Sequence, residues 1–501
     1  MTVTSGEFHG DTATLRPKHV TIIGAGIAGL TAAYELEQRG HRVDLLEARP
    51  TVGGRLHTHS FTRERNGPIA ELGAMRIPAA HQRTMQLIDR LGLADRVRQF
   101  RTLFSDDASF VATPHGHRRV REATPVLVSK FLGETPAAQD YREETVLCAA
   151  WLAASAWAIA PTRFSRGLTT ELNVELLDLL DRIDVRPYLI RRGGTERIDL
   201  NRFFAHHRNF GMGSRLQHFF DDVITETSSA LFRLDGGIDQ IAVHLAAELR
   251  EPVHHGSRVT GLHVAADGVR VELHDGSSAV SRRSDYVLCT LPFSALRRMR
   301  LSGLDSAKRE VINDMQYWAA TKIAVHCREP FWENEGISGG GSFTGGLVRQ
   351  TYYPPVESDP RLGAALLASY TIGADADRLA RIPAQQRIQA VLDELRTIHP
   401  ELAEPDMVRD AVMHAWGEDP LSMGAASVRW GKDAATAEEE RALAAAPQGR
   451  LFFSGEHCSS APAWIEGAIE SGVAAAREID AWTPAVGAVS PCYVPGGATC
   501  R

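Results

Sequence analysis

The stretch VTIIGAGIAGL near the start of the chain permits very few folds. Val20 to Ile23 form a short apolar run rich in β-branched residues and bounded by glycine, which predicts a buried parallel strand. Gly24, Gly26 and Gly29 follow with G-x-G-x-x-G spacing. The first allows a tight turn, the second lets backbone approach a pyrophosphate, and the third lets a helix pack on the strand. The helix expected over 28–39, starting at Ala28, aims its N-terminal amides at those phosphates. Gly40 ends it, Val43 to Leu46 form the next strand, and Glu47 closes that strand, about twenty residues beyond the last glycine. A carboxylate there accepts hydrogen bonds from ribose hydroxyls and repels a 2′-phosphate, which disfavours NADP.

Two further segments bear on the same ligand. Gly53, Gly54 and Arg55 make a second flexible, cationic turn suited to a pyrophosphate. Some 400 residues later, LFFSGEHCSSAPAWIEGAIESG reads as a strand, a loop and a helix start that return to it. The GGR turn resembles that of the flavin amine oxidase superfamily, and this resemblance implies FAD rather than NAD.

Composition sets the outer limits. With 501 residues, 44% hydrophobic and 23% charged, the chain is long enough for roughly three structural units. A net charge of −7 and the lack of a basic run give no case for nucleic acid or a membrane surface. No apolar stretch reaches transmembrane length, and MTVTSGEFHGDTATLRP has no secretory core, so a cytoplasmic protein is expected. Six cysteines without a C-x-x-C pair, and histidine pairs such as His206–His207 and His254–His255 without ligand spacing, predict no metal site. Cys492 and Cys500 fall in a Gly/Pro-rich tail.

The expected fold is α/β: a doubly wound FAD-binding domain interleaved with an α+β substrate domain and a helical insertion, of the amine-oxidase and glutathione-reductase type. The FAD-binding domain takes 18–75, 234–300 and 435–482, and the substrate domain 76–129 and 301–434. Helices are expected over 130–233, where TVLCAAWLAASAWAIA and ELNVELLDLLDRI repeat apolar residues at three- and four-residue intervals. Residues 1–17 and 483–501 are tails. RVTGLHVAADGVRVELHDG alternates about Asp267–Gly268, a hairpin signal, and SDYVLCTLP reads as a further strand of the nucleotide sheet.

Within the superfamily, ELGAMRIP (71–78), KIAVHCREPFWENEGISGG and LLASYTIGADA resemble segments of L-amino acid oxidases of the snake-venom and bacterial type. The likeness spans most of 18–480 and is weakest in the helical insertion. It implies that Arg76 grips a substrate carboxylate, as a planar guanidinium can with two parallel bonds. Tyr370 would reach the same carboxylate, and Lys322 would hold a water beside the flavin. Trp464 and Ala463 would wall the substrate site, with Trp318, Ile372 and Ala426 completing an apolar, roomy side-chain pocket. His218 in RLQHFFDD is the candidate base for the substrate ammonium. The cofactor contacts would be Gly24, Gly26, Ala28, Gly29, Glu47, Ala48, Arg49, Gly54, Arg55, Gly73, Ala74, Met75, Arg76, Val259, Gly455, Glu456, Trp464, Ile465 and Ala468, with Glu456 at the ribityl or phosphate region.

The aromatic cage of monoamine oxidases would need an aromatic residue near Ser427, and covalent flavin a cysteine near Ala426. Both departures favour non-covalent FAD and an amino acid substrate. The expected reaction is oxidative deamination of an L-amino acid, apolar or aromatic, to a 2-oxo acid, ammonia and hydrogen peroxide, in a homodimer. The alternatives are a monooxygenase that decarboxylates the amino acid to an amide, an amine oxidase or demethylase, and a flavin-bound sensor without turnover.

Overall fold

The computed structural model describes residues 17–122, 189–192, 195–198 and 231–483, apart from a few isolated positions. Its organising element is a parallel sheet of four strands in the order Arg42–Leu46, His19–Ile23, Tyr286–Cys289 and Leu451–Phe453. Val20, Ile22, Val287, Leu288, Leu451 and Phe452 are wholly buried. That is the pattern of a parallel sheet covered on both faces. The chain therefore enters one sheet from three widely separated places, as the sequence predicts for its two ends and for SDYVLCTLP.

The first helix runs Ile27–Gln38, one residue earlier at each end than expected, because Gly26 serves as N-cap and Arg39 as C-cap. Gly40 follows at φ +84°, a conformation that glycine adopts without steric cost. This helix packs against the last one, Ile465–Ala481, in a core that includes Leu30, Ala33, Ile469 and Ala476. Gly472 makes the approach possible: a β-carbon there would lie 2.6 Å from the Ala28 carbonyl oxygen.

The expected hairpin pairs Ser257–Ala265 with Gly268–Asp275 and extends to Ser278–Ser284. A seven-stranded sheet forms the other body of the molecule. Its order is Val408–Ala415, Ala320–Cys327, Ala364–Ile372, Arg349–Tyr352, Gly341–Gly345, Phe110–Thr113 and Gly116–Arg119. Helix Ala384–Leu395 and the side chains of Trp332 and Tyr353 share its core.

The interval expected to be helical corrects the sequence reading in part. Leu189–Arg192 and Thr195–Ile198 form an antiparallel pair, separated in sequence by two glycines, the residue type a short hairpin connection favours. The apolar periodic segments of that interval lie outside the described residues, as does His218. Among the described residues no helix is long and apolar enough to cross a membrane.

Candidate active site

All four parallel strands end at one cavity of about 410 Å³. Ile23 and Gly24 line it from the first, Leu46 and Glu47 from the second, Thr290 and Leu291 from the third, and Gly455 and Glu456 from the fourth. Ligands of open α/β sheets bind in this crevice, outside the carboxyl ends of the strands. Lys322, Tyr370, Trp318, Ala426, Ala463 and Trp464 close the other end of the same cavity. The seven-stranded sheet supplies Lys322 and Tyr370, which are register partners on adjacent strands.

At the nucleotide end the glycines differ in what they do. A β-carbon on Gly26 would meet nothing within 4 Å and would project into open space, as the pyrophosphate reading requires. One on Gly29 would lie 2.0 Å from the Gly24 carbonyl oxygen, so this glycine serves the contact between turn and helix. Gly54, at φ +61°, sits against the Gly26 backbone, and the Gly53 N–H donates to the Ala25 carbonyl at 2.9 Å. The Glu47 carboxylate organises the turn, accepting the Ala25 N–H at 2.8 Å and the Arg49 N–H at 2.7 Å. Arg49 in turn pairs with Asp419. Ala28, Ala48, Arg55, Gly73, Ala74, Val259, Ile465 and Ala468 also line the cavity. Open space at Gly26, helix N-termini and a strand-end acid together fit an FAD dinucleotide.

At the far end, Lys322 is buried and donates to the carbonyls of Glu71 at 3.1 Å and Gly73 at 2.7 Å. Its ammonium lies 4.7 Å from the centre of the Tyr370 ring. Burial lowers the Lys322 pKa; Glu71 opposes the fall and Arg76 reinforces it. Arg76 is half-buried and donates to the Tyr352 hydroxyl at 3.4 Å. It belongs to the surroundings of Lys322 without lining this cavity. Met75 is also outside this lining and faces a second cavity. Ile372, opposite Ala320 across the strands, is also outside the cavity lining.

Two of the residues expected at the cofactor, both in the cavity lining, also have partners within the protein. Arg55, expected on the pyrophosphate, donates to Glu456 at 2.8 Å and to the Ala425 carbonyl at 3.0 Å. Glu456, expected on the cofactor, is buried and held by the protein. Its oxygens accept from the Ser427 hydroxyl at 2.7 Å, the Ser427 N–H at 3.2 Å and the Ala463 N–H at 3.0 Å. Burial alone would raise this carboxyl; Arg55, His457 and the Ala463 and Ser427 bonds outweigh it and hold its pKa at about 2. Ala463, bonded to it, adopts φ +68°, uncommon for a residue with a β-carbon. Glu456 thus ties the GGR turn, strand Ala426–Val428 and the approach to Trp464 into one wall.

Sequence reasoning missed Thr290, Leu291 and Trp416, whose indole donates to the Leu72 carbonyl at 2.8 Å. The signal for the first two was present: they follow a predicted parallel strand, where its end meets the ligand crevice. The only cluster among the described residues with metal-ligand composition is Glu335, His399 and Glu401, and both His399 nitrogens there are engaged, by Glu335 at 2.7 Å and Tyr353 at 2.8 Å.

The chain belongs to the flavin-containing amine oxidoreductase family, which it matches over residues 27–480. It is a flavoenzyme with FAD as cofactor. It is 51% identical to the flavin-dependent L-tryptophan oxidase RebO of Lentzea aerocolonigenes, over 93% of this chain and 98% of that one. The L-amino-acid oxidase of Demansia vestigiata is 29% identical over 93% of this chain and 87% of its own. Among solved structures, putrescine oxidase bound to putrescine superposes with a TM-score of 0.61 at 20% identity, covering 93% of this chain and 99% of that one, a likeness of fold.

Proposed function

We propose that this protein oxidises L-amino acids with a large aromatic side chain, of the tryptophan class, to the 2-oxo acid, ammonia and hydrogen peroxide. The observation that carries the reading is the single cavity that joins the dinucleotide turn to Lys322, Tyr370 and two indoles, Trp318 and Trp464. Near-complete coverage at 51% identity to an L-tryptophan oxidase supports the substrate class.

FAD held by these residues would supply the redox chemistry, an acceptor for the Cα hydride and a route for the electrons to dioxygen. The chain's own groups orient and exclude. Gly26 leaves room for the pyrophosphate, and Glu47 faces the ribose. The Trp318 and Trp464 rings flank an aromatic side chain with apolar surface. Arg76 and Tyr370 take the carboxylate, with the Tyr352 hydroxyl fixing the Arg76 guanidinium. Lys322, in the lining of the same cavity, would supply a cation that favours negative charge on a bound flavin. Ala426 in place of a cysteine keeps the cofactor non-covalent.

The test is a peroxide assay across the twenty L-amino acids and their D-forms, with products quantified. L-Tryptophan and L-phenylalanine are expected to lead, with peroxide, ammonia and 2-oxo acid in equal amounts. A parallel run with catalase keeps peroxide from decarboxylating the 2-oxo acid. An amide with carbon dioxide as main product would establish a monooxygenase instead.

A further inference from the structure

Trp464 walls the substrate end, and a side chain with no part in the chemistry above stands against it. The His81 ring meets the Trp464 indole edge-on, with centroids 5.0 Å apart and planes at 77°. Both residues are half-buried. His81 is reached by a tight turn: its N–H donates to the Pro78 carbonyl at 3.0 Å, and the Gln82 N–H donates to the Ala80 carbonyl at 2.9 Å. Helix Gln82–Arg90 starts immediately afterwards, and its cap comes from the other side of the contact. Glu466, two residues beyond Trp464, accepts the Arg83 N–H at 3.2 Å, the Thr84 N–H at 2.9 Å and the Thr84 hydroxyl at 2.8 Å.

The same two segments are thus joined twice, by a carboxylate on helix amides and by a ring on a ring. The carboxylate fixes where the helix begins, and with it where the His81 ring stands. The backbone leading into Trp464 is fixed as well, because Ala463 is held by Glu456 at φ +68°. What remains is the rotation of the indole about its side-chain bonds, and the His81 contact bears on that. Burial lowers the His81 pKa and Glu466 opposes the fall, so at pH 8 the ring is a neutral imidazole. Between Arg76 and this turn lies strand Ile77–Pro78, paired with Leu231–Phe232. One short segment, 76–81, therefore carries the carboxylate grip at one end and the support of the aromatic wall at the other.

We propose that His81 is a positioning residue that determines specificity: through its edge contact it holds the Trp464 indole against the aromatic side chain of the substrate. The inference rests on the aromatic-substrate reading of the cavity. His81 itself lies outside the cavity lining, so it acts only through the tryptophan. Its removal loosens the grip on the aryl group and leaves the hydride step alone. The strength of an edge-to-face aromatic pair sets the size of the effect, a loss of affinity of about two- to tenfold.

The test is anaerobic flavin reduction of the holoenzyme at pH 8 over a series of L-tryptophan concentrations, which gives Kd and the limiting rate separately. His81→Ala and His81→Gln are expected to raise Kd by about two- to tenfold and to leave the limiting rate and FAD content as in the wild type. His81→Phe supplies an aromatic edge again and should bring Kd back towards the wild-type value. On a Trp464→Ala background His81→Ala should add nothing, because the ring it supports is gone. If His81→Ala fails to fold, His81→Gln, which keeps a polar side chain of similar reach, carries the comparison. A Kd that neither single variant moves, a fall in the limiting rate alone, or the same loss with and without Trp464 overturns the proposal. A wild type that L-tryptophan does not reduce removes the substrate reading and this inference together, before any variant is compared. A wild type that is reduced, with variants that match it, overturns the inference alone.

Discussion

The two ends of the cavity at the strand ends are built on different principles. The nucleotide end is made largely of backbone: Gly24, Gly26, Gly53 and Gly54, a strand-end acid and a helix N-terminus, all within residues 23–55. The substrate end is made of side chains gathered from residues 318, 322, 370, 426 and 464, which share no local pattern. A backbone site tolerates no added atoms where its ligand passes, whereas a side-chain site loses function in proportion to the group removed. The first end accordingly defines a large family and the second selects a substrate within it.

The largest expected effect breaks the nucleotide end. Gly26→Val fills the open space above the turn and should abolish FAD binding, while the folded apoprotein keeps its far-UV spectrum and thermal midpoint. Gly29→Val should do something different. Its β-carbon meets the Gly24 carbonyl at 2.0 Å, so the apoprotein itself should lose stability. Flavin absorbance after gel filtration, compared with apoprotein melting, distinguishes the two. Identical behaviour would mean that Gly26 is a packing glycine as well. Acid precipitation of the wild type should release FAD free into the supernatant.

A smaller effect is expected at the substrate end. Arg76→Lys keeps a charge but loses the planar fork, and a charge-assisted hydrogen bond is worth roughly 1.5–3 kcal/mol, so kcat/KM should fall at least about tenfold. Arg76→Met should cost more, because the carboxylate is then desolvated without a partner. FAD content should stay unchanged in both if the Arg76 side chain faces the substrate and only backbone at this turn faces the flavin. Equal losses for an amino acid and its decarboxylated amine would place Arg76 in support of the fold.

The difference between the ends also decides what could be read from sequence. Glycine spacing followed by an acid is a local signal, so strand, turn, helix and Glu47 were all legible, to within one residue at the helix ends. Lys322 and Tyr370 each sit inside an ordinary buried strand, and only a resemblance to amino acid oxidases singled them out. Glu456 shows why a strand-end carboxylate is ambiguous. Like Glu47 it follows a parallel strand at the cavity and is held by the protein, but by Arg55, Ser427 and Ala463 and not by the backbone of its own turn. Those partners lie 7 to about 400 residues away in sequence, so no local pattern announces them.

Glu456 supplies the smallest predicted effect, at the junction of the two ends. Its carboxyl is held at about 2 in the folded protein against an ordinary 4.5. The stability this contributes is full above the ordinary value and is lost as pH falls from there towards 2. Glu456→Gln should therefore lower Tm at pH 7 by a few degrees and flatten its acid dependence over that window. Melting curves of apoprotein from pH 7 to pH 3 check this. An unchanged acid slope would mean that other carboxylates govern acid unfolding.

The central claim is that an aromatic L-amino acid reduces a flavin held across both ends. Anaerobic mixing of the enzyme with L-tryptophan tests it in one trace. The account predicts that L-tryptophan bleaches the flavin absorbance within the turnover time, and that D-tryptophan and tryptamine leave it nearly unchanged. Equal bleaching by tryptamine would contradict the account, since the carboxylate would then play no part in recognition.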